Sequence, residues 1–352
     1  MLRVLLALTV AGLSACQRAP APQPDRAEHP TDTLPTGDWT FLPVDGSVCR
    51  DGSPTGIGVR PGADGANLLV YLEMGGACYN AATCARNPSS FSPGDFAAWR
   101  EARGDAGLFS TARRNPVGEW THVYVPYCTG DVHGGTRPGV AVPGVGGEQQ
   151  FVGHRNLERA LDRLAPVLGA PDTLVLAGAS AGAFGTLVNF PEVVDRYPEA
   201  TAVLFNDSGP AFFDDAVLSP ALGRTFADLY GFRDAFPRDA RALFEPDGLQ
   251  GVYAYLADRH PDARFGLAST HRDRTIRYYF GFGQPDGTIT GPEYAAGLDD
   301  LRERLPEAWR TAYLPGEGHT FVGSDRLFYG GATDLGAWLG SLIAGRAPHD
   351  GP

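Results

Sequence analysis

Short apolar runs recur along the chain, and each predicts a strand buried on both faces of a sheet. The runs lie at residues 67–72, 122–126, 174–178, 202–205 and 310–314. Helical patterns of apolar residues lie between and after these runs, over 151–168, 181–194, 290–304 and 335–343. Strands that alternate with helices are typical of a doubly wound α/β fold, in which a mostly parallel sheet carries helices on both faces.

The run at 174–178 leads into a serine that is framed by small residues. Gly178, Ser180 and Gly182 fit the G-x-S-x-G pattern, in which a strand turns sharply into a helix and exposes the serine hydroxyl. Glycine is needed at such a turn because a Cβ atom would collide with the neighbouring strand or helix. A strand before the motif and a helix after it favour a catalytic serine over a surface serine in a turn. Ser180 is therefore the candidate nucleophile of an α/β-hydrolase fold.

A second glycine turn follows the run at 67–72 and reads Met-Gly-Gly-Ala-Cys over residues 74–78. Backbone N–H groups without bulky side chains around them are what an oxyanion hole requires. α/β-Hydrolases take one donor from an early loop and another from the residue after the nucleophile. The candidate oxyanion donors are therefore the N–H groups of Gly76, Ala77 and Ala181.

A serine nucleophile also needs an imidazole that takes its proton and a carboxylate that holds the imidazole. α/β-Hydrolases present these residues in the order Ser, Asp or Glu, His. His319 lies in a glycine-containing loop after the last predicted strand, where this architecture keeps its base. Asp273 is the first candidate for the acid, Asp207 at a strand end is the second, and Asp286 is the third.

The loop after the run at 122–126 contains two further polar residues, Asp131 and His133. We expect this loop to lie on the same rim of the sheet as the other candidate residues. Three roles stay open for the two side chains: contact with substrate, binding of a metal ion, or hydrogen bonding to the backbone of their own loop.

Composition narrows the classes of function. The formal net charge of -12 and the pI near 5.1 argue against binding to nucleic acid or anionic lipid through charge, because both need basic patches. All 29 basic residues are arginine. Without lysine there is no P-loop lysine, no Schiff base to a cofactor and no serine–lysine dyad. We expect a monomer that needs neither a cofactor nor a metal ion.

The amino terminus predicts export. Residues 1–15 combine a charged start with a short apolar stretch, which is typical of a signal peptide and too short to span a bilayer. Cys16 ends a Leu-Ser-Ala-Cys sequence that resembles the lipobox of bacterial lipoproteins, so we expect lipidation of Cys16 and anchoring to a membrane of the cell envelope. Proline-rich residues 16–37 predict an extended tether. The α/β-hydrolase domain is expected over 38–346.

The remaining four cysteines fit an oxidising compartment. An even number of cysteines in an exported protein predicts two disulfides, for which three pairings are possible. We predict the pairs Cys78–Cys84 and Cys49–Cys128. Neither spacing is that of a zinc site. Residues 210–265 are rich in aromatic side chains and predict a helical cap over the site.

Taken together, the motifs resemble the pectin acetylesterase family, whose relatives include the animal Notum-type carboxylesterases. The resemblance covers most of the domain and rests on Cys49-Arg50-Asp51-Gly52-Ser53-Pro54, Gly75-Gly76-x-Cys78 with Cys84, Asn115-Pro116 before Trp120, Tyr127-Cys128 with Gly130-Asp131, the Ser180 motif, Asp207-Ser208-Gly209 and Gly318-His319. The family is an α/β-hydrolase with a Ser-Asp-His triad that removes acyl groups without a metal. The resemblance therefore implies Ser180 as nucleophile, His319 as base, Asp273 as acid and Asp207 as a structural residue.

One departure affects the substrate. The family turn usually reads Gly-Gly-Gly-Trp-Cys, whereas this chain has Met74 for the first glycine and Ala77 for the tryptophan. The backbone donors are kept, but the wall beside the oxyanion hole is expected to be smaller or differently shaped. We therefore expect a serine carboxylic ester hydrolase that deacetylates a polysaccharide such as pectin, or cleaves another acyl ester. The alternatives are a non-catalytic carbohydrate-binding or envelope protein on a hydrolase fold, and an acyltransferase.

Overall fold

A computed structural model describes residues 34–238, 240–241, 249–329 and 334–348. The predicted signal peptide, Cys16 and most of the predicted tether lie outside these ranges. The strands are β1 (Thr40–Val48), β2 (Pro54–Arg60), β3 (Asp64–Leu72), β4 (Trp120–Val125), β5 (Arg137–Ala141), β6 (Glu148–Phe151), β7 (Thr173–Ala179), β8 (Thr201–Asp207), β9 (Arg264–Thr270) and β10 (Trp309–Leu314). The helices are α1 (Ala81–Cys84), α2 (Pro93–Arg103), α3 (Gly153–Leu168), α4 (Ala181–Arg196), α5 (Pro220–Tyr230), α6 (Val252–Arg259), α7 (Arg274–Gly281), α8 (Gly291–Arg304), α9 (Arg326–Tyr329) and α10 (Leu335–Ile343).

Within the described residues, eight of the strands form one sheet in the order β1-β2-β4-β3-β7-β8-β9-β10. The pairs from β4 to β10 are parallel, while β1 and β2 add an antiparallel edge. β5 and β6 form a separate antiparallel hairpin. Parallel strands bring their carboxyl ends to one edge of the sheet, so the loops after β3, β4, β7, β8, β9 and β10 share one rim. The expected α/β-hydrolase arrangement, with a mostly parallel sheet and helices on both faces, is confirmed.

Alternate side chains of the strands feed two apolar cores, one on each face. Leu174 and Leu176 of β7 pack in the core that contains α3, α4 and the segment between β8 and β9. Val175 and Ala177 face the opposite core, which contains α2 and α10. Because β7 is buried on both sides, it reads as a continuous apolar run in the sequence. None of the helices in the described ranges has the length and apolarity needed to cross a membrane.

Two elements differ from the sequence-based expectation. β9 occupies Arg264–Thr270, where we expected the end of the cap and a loop. Its sequence, Arg-Phe-Gly-Leu-Ala-Ser-Thr, contains few residues of high strand propensity, and its pairing with β8 and β10 supplies the strand geometry. The helix expected over 151–168 begins at Gly153, because Phe151 pairs with Arg137 in the β5–β6 hairpin.

Candidate active site

Ser180 lies at the sharp turn between β7 and α4. Its backbone has φ 53° and ψ -114°, a conformation that non-glycine residues rarely adopt. Its N–H donates to the carbonyl of Asp207 (2.8 Å), and its carbonyl accepts from the N–H of Phe184 (3.2 Å). Neighbouring elements therefore hold the strained turn from both sides, as expected for a nucleophile elbow.

The two glycines of the motif are required by close backbone contacts. A Cβ atom on Gly178 would overlap the carbonyl oxygen of Gly182. A Cβ atom on Gly182 would overlap the carbonyl oxygen of Leu72, the last residue of β3. Strand β7, helix α4 and strand β3 can approach this closely only because neither position carries a side chain.

His319 and Asp273 form a direct pair on the same rim. The Nδ1 of His319 lies 2.7 Å from Oδ2 of Asp273, which is fully buried. The other carboxylate oxygen of Asp273 accepts from the N–H groups of Thr275 (2.9 Å) and Ile276 (3.0 Å), so Asp273 also caps α7. When Nδ1–H donates to Asp273, Nε2 is the ring nitrogen that can accept a proton.

The loop that carries His319 is fixed by the ends of two strands. The hydroxyl of Thr270, the last residue of β9, donates to the carbonyl of Gly318 (2.6 Å). After the histidine, Oδ2 of Asp207 accepts from the N–H groups of Phe321 (2.6 Å) and Val322 (2.9 Å). The histidine is therefore held between hydrogen bonds on both sides of it.

Asp207 forms hydrogen bonds both to the turn that carries Ser180 and to the loop that carries His319. Its carbonyl holds the N–H of Ser180, and its carboxylate holds the loop after His319. Its Oδ1 also accepts from the hydroxyl of Ser208 (2.9 Å). Burial raises the pKa of Asp207, and its hydrogen bonds lower it in part. Asp286, the third candidate for the acid, is exposed and accepts from the N–H of Thr288 (3.0 Å).

The turn after β3 is held in place by Tyr127. Its ring packs where a Cβ atom on Gly75 would lie, and its hydroxyl donates to the carbonyl of Gly76 (2.7 Å). Because the C=O and N–H of one trans peptide point in opposite directions, the N–H of Ala77 points away from Tyr127. In the described part of the chain, neither the Gly76 nor the Ala77 amide donates a hydrogen bond to protein. Ala181 begins α4, where the amide has no partner within the helix.

The side chains of Asp131 and His133 form hydrogen bonds within their own loop and to neighbouring segments. The carboxylate of Asp131 accepts from the hydroxyl of Thr129 (2.6 Å) and the N–H groups of His133 (3.1 Å) and Gly153 (2.7 Å). Nε2 of His133 lies 2.8 Å from the carbonyl of Glu73. Burial raises the pKa of Asp131 to about 6 and lowers that of His133 to about 4. Within the described ranges, no group of three or more His, Cys, Asp or Glu residues could hold a metal ion.

Backbone strain is concentrated around the candidate site. Among the described residues, the non-glycine positions with positive φ are Val132, His133, Ser180, Ser208 and Thr320. All of them lie in the rim loops or at the elbow. Such conformations cost about 1–3 kcal/mol each and persist where the surroundings enforce them, which is typical of functional sites.

Two disulfides brace the same rim, with the predicted pairing. Cys78 is bonded to Cys84 and links the turn after β3 to α1. Cys49 is bonded to Cys128 and links the end of β1 to the loop after β4. The N–H of Cys78 also donates to the carbonyl of Gly130 (2.7 Å). The candidate oxyanion turn is thus fixed to α1 by a disulfide and to the loop after β4 by a hydrogen bond.

An apolar cavity opens beside Ser180. Its empty volume is about 600 Å³, including the part that is open to solvent. The candidate oxyanion residues Gly76, Ala77 and Ala181 lie along it. Its larger side chains come from α4, α7 and the segment between β8 and β9, and include Phe184, Leu218, Phe226, Phe232, Ile276 and Phe280. The arrangement suits a polar reacting group at Ser180 with an apolar substituent beyond it.

Comparison with known proteins places the chain in a family. The family model described as pectinacetylesterase matches residues 38–232, more than half of the chain. The chain belongs to the pectinacetylesterase family. Among other members of this group, it is 29% identical over 159 residues to the palmitoleoyl-protein carboxylesterase NOTUM of Mus musculus, a match that covers 43% of this chain and 30% of the relative.

One further relative and one solved structure are similar to this chain. It is 31% identical over 94 residues to the inactive palmitoleoyl-protein carboxylesterase notum1b of Danio rerio, covering 26% of this chain and 68% of that protein. A crystal structure of the Wnt deacylase Notum from Drosophila superposes with a TM-score of 0.65 at 19% identity, covering 87% of this chain and 93% of that one. That similarity shows a shared fold. The matched region spans about a third of the length of the NOTUM relative from mouse.

Two tyrosines of this pectinacetylesterase-family site were not predicted from the sequence. Tyr127 positions the oxyanion turn, and Tyr279 of α7 lines the cavity beside it. The signal for Tyr127 was its place next to Cys128, directly after a predicted strand on the rim. Nothing in the sequence around Tyr279 distinguishes it from Tyr278, because only the packing of α7 decides which of the two faces the cavity.

Proposed function

We propose that this protein is a serine carboxylic ester hydrolase in which Ser180 is the nucleophile, His319 the general base and Asp273 the residue that orients the histidine. The observation that carries the proposal is the 2.7 Å pair of His319 and buried Asp273 on the rim where Ser180 occupies a strained elbow. Family membership supports the same reaction class.

In the proposed reaction, Nε2 of His319 takes the proton of Ser180 as Oγ attacks the ester carbonyl carbon. The carbonyl electron pair moves to oxygen, and the N–H groups of Gly76, Ala77 and Ala181 stabilise the oxyanion. The bond to the alkoxy oxygen then breaks, the leaving alcohol takes the proton from His319, and the acyl group stays on Ser180. Water, deprotonated by His319, attacks the acyl carbon of this acyl-enzyme. The bond between the acyl carbon and Oγ then breaks, Ser180 takes the proton back from His319, and the carboxylic acid leaves.

We further propose that the acyl group is an apolar chain longer than acetyl. Apart from Ser180 and Tyr279, the described residues around the cavity carry apolar side chains or none. Each buried CH₂ stabilises the bound substrate by about 0.8 kcal/mol, close to a fourfold gain in affinity. The relative from Mus musculus, whose name refers to a palmitoleoyl group, supports this preference over an acetylated polysaccharide.

The test is hydrolysis of p-nitrophenyl esters from acetate to decanoate, with acetylated pectin and xylan alongside, by wild type and Ser180→Ala. We expect kcat/KM to rise at least tenfold from acetate to octanoate, and Ser180→Ala to lose at least a thousandfold in activity on each ester that the wild type hydrolyses. Folding of both proteins is checked by circular dichroism. Highest activity on acetyl substrates would contradict the chain-length proposal, and a folded wild type without esterase activity would contradict the reaction class.

Export and lipid anchoring are a separate proposal. Cys16 and the signal peptide lie outside the described residues, so the support comes from the lipobox-like sequence and from the two disulfides, which form in oxidising compartments. Expression of the full chain in a lipoprotein-processing host should place the wild type in the membrane fraction and Cys16→Ser in the soluble fraction. Equal membrane association of the two proteins would refute lipidation at Cys16.

A further inference from the structure

The cavity beside Ser180 contains a second hydroxyl group. Among the described residues that line it, Ser180 and Tyr279 are the ones with a polar side chain; the others are aliphatic, phenylalanine or glycine. In an apolar pocket, a few placed polar groups fix how a ligand is oriented. The reacting ester group, which is the polar part of the substrate, must therefore lie near these two hydroxyls.

Tyr279 is placed directly against the oxyanion turn. A Cβ atom on Gly76 would overlap the hydroxyl oxygen of Tyr279. The turn and α7 are also joined by a hydrogen bond from the hydroxyl of Tyr79 to the carbonyl of Tyr279 (2.7 Å). The family turn usually has tryptophan where this chain has Ala77, and Ala77 and Tyr279 both line the cavity.

The hydroxyl of Tyr279 is a donor without a protein acceptor. The Tyr279 ring packs against Tyr278 and the apolar core, and its hydroxyl lies close to Gly76. Across the described ranges, this hydroxyl makes no hydrogen bond to protein. The side chain is half-buried, and burial raises the pKa of Tyr279 above its ordinary value, so the phenol keeps its proton. A neutral phenol in this position can donate to an oxygen atom of a bound ligand.

We propose that Tyr279 is a further catalytic residue, whose hydroxyl donates a hydrogen bond to the carbonyl oxygen of the bound ester alongside the N–H groups of Gly76, Ala77 and Ala181. This inference rests on the proposed function. A hydrogen bond to the charged oxyanion of the transition state is stronger than one to the neutral carbonyl oxygen of the substrate. Such a donor therefore accelerates the chemical step more than it strengthens substrate binding.

The experiment compares Tyr279→Phe with Tyr278→Phe on p-nitrophenyl octanoate. Tyr278 is the matched control because it is the preceding residue on α7, is 37% exposed and does not line the cavity. We expect Tyr279→Phe to lower kcat about 10- to 100-fold with little change in KM, and Tyr278→Phe to stay within twofold of wild type. Activity of Tyr279→Phe within twofold of wild type would overturn the proposal.

A binding measurement separates hydrogen bonding from a structural effect. An alkyl boronic acid forms a tetrahedral adduct with a serine nucleophile, so its affinity should fall by the same factor as kcat in Tyr279→Phe. Thermal unfolding of this variant should match wild type. Unchanged affinity for the boronic acid alongside a lowered kcat would assign Tyr279 a structural role and overturn the donor proposal.

A second binding measurement needs no turnover. The affinity of octanoate, the reaction product, is measured by calorimetry in Ser180→Ala and in Ser180→Ala/Tyr279→Phe. We expect loss of the Tyr279 hydroxyl in the double variant to weaken octanoate binding three- to tenfold relative to Ser180→Ala. The wild type could hydrolyse no ester while the double variant still binds octanoate more weakly than Ser180→Ala. The proposed function would then be wrong, but the hydrogen bond from Tyr279 to the bound ligand would be supported. Equal affinities would overturn the role of Tyr279 whether or not the enzyme is active.

Discussion

The ends of β8 and β9 lie side by side in the sheet, and each carries a buried aspartate near the candidate nucleophile. Asp207 and Asp273 both accept hydrogen bonds from two backbone N–H groups. The difference lies in the remaining carboxylate oxygen, which faces the hydroxyl of Ser208 in one case and Nδ1 of His319 in the other. Residue type and burial are the same at both positions. In the proposed mechanism, the hydrogen-bond partner alone distinguishes the structural aspartate from the aspartate that orients the base.

The largest effect is expected for Asp273→Asn. An amide at this position can turn its NH₂ group toward His319 and favour the tautomer with the proton on Nε2, which cannot accept the proton of Ser180. We expect kcat on p-nitrophenyl octanoate to fall about 10³- to 10⁴-fold. Asp207→Asn is the matched control: its amide oxygen can still accept from the N–H groups of Phe321 and Val322, and its activity should stay within tenfold of wild type. Equal losses in the two variants would remove the distinction between the aspartates.

A smaller effect, on stability, is expected for Asp207→Ala. This change leaves the N–H groups of Phe321 and Val322 buried without an acceptor, and each unsatisfied group costs about 1–3 kcal/mol. The free energy of unfolding in urea should therefore fall by about 2–4 kcal/mol relative to wild type. Asp207→Asn should keep most of the wild-type free energy of unfolding. A stability loss below about 1 kcal/mol in Asp207→Ala would show that the loop after His319 does not depend on this carboxylate.

The smallest effect expected is in the pH dependence of stability. Burial raises the pKa of Asp207 above that of the unfolded chain. A carboxyl group with a raised folded-state pKa contributes stability below its unfolded pKa of about 3.9, and this contribution is lost as pH rises through the folded pKa. We therefore measure the free energy of unfolding in urea for wild type and Asp207→Asn at several pH values above 4. As pH rises, the wild type should lose stability relative to the variant. A constant difference between the two would contradict the raised pKa.

Of the two strands that precede these aspartates, β8 could be predicted from its local sequence pattern and β9 could not. β8 is an apolar run followed by Asp207, and the elbow after β7 combines a buried strand, small residues and a serine. β9 was not predicted, because Gly266, Ala268 and Ser269 weaken the strand pattern and its pairing with β8 and β10 is a long-range contact. Asp273 could be ranked first from the order of residues and the family resemblance, while its hydrogen bond to His319 depends on where β9 ends.

Two further features could not be predicted from the sequence pattern. They are the antiparallel edge of the sheet and the side chains that line the cavity. β1 and β2 contain proline and glycine, and their placement beside β4 is a tertiary property. The choice of Tyr279 over Tyr278 depends on the rotation of α7, which the buried side chains of Ile276 and Phe280 set. Elements with strong local signals were predictable, and side chains selected by packing between distant segments were not.

The most direct test of the account is covalent labelling of the nucleophile with an alkyl fluorophosphonate, followed by intact mass and peptide mass spectrometry. The account predicts one adduct per chain, located on Ser180, which is absent in Ser180→Ala. Labelling should be strongly slowed in Asp273→Asn and retained in Asp207→Asn. An adduct on another residue, or no adduct on a folded wild-type protein, would contradict the assignment of Ser180 as an activated nucleophile.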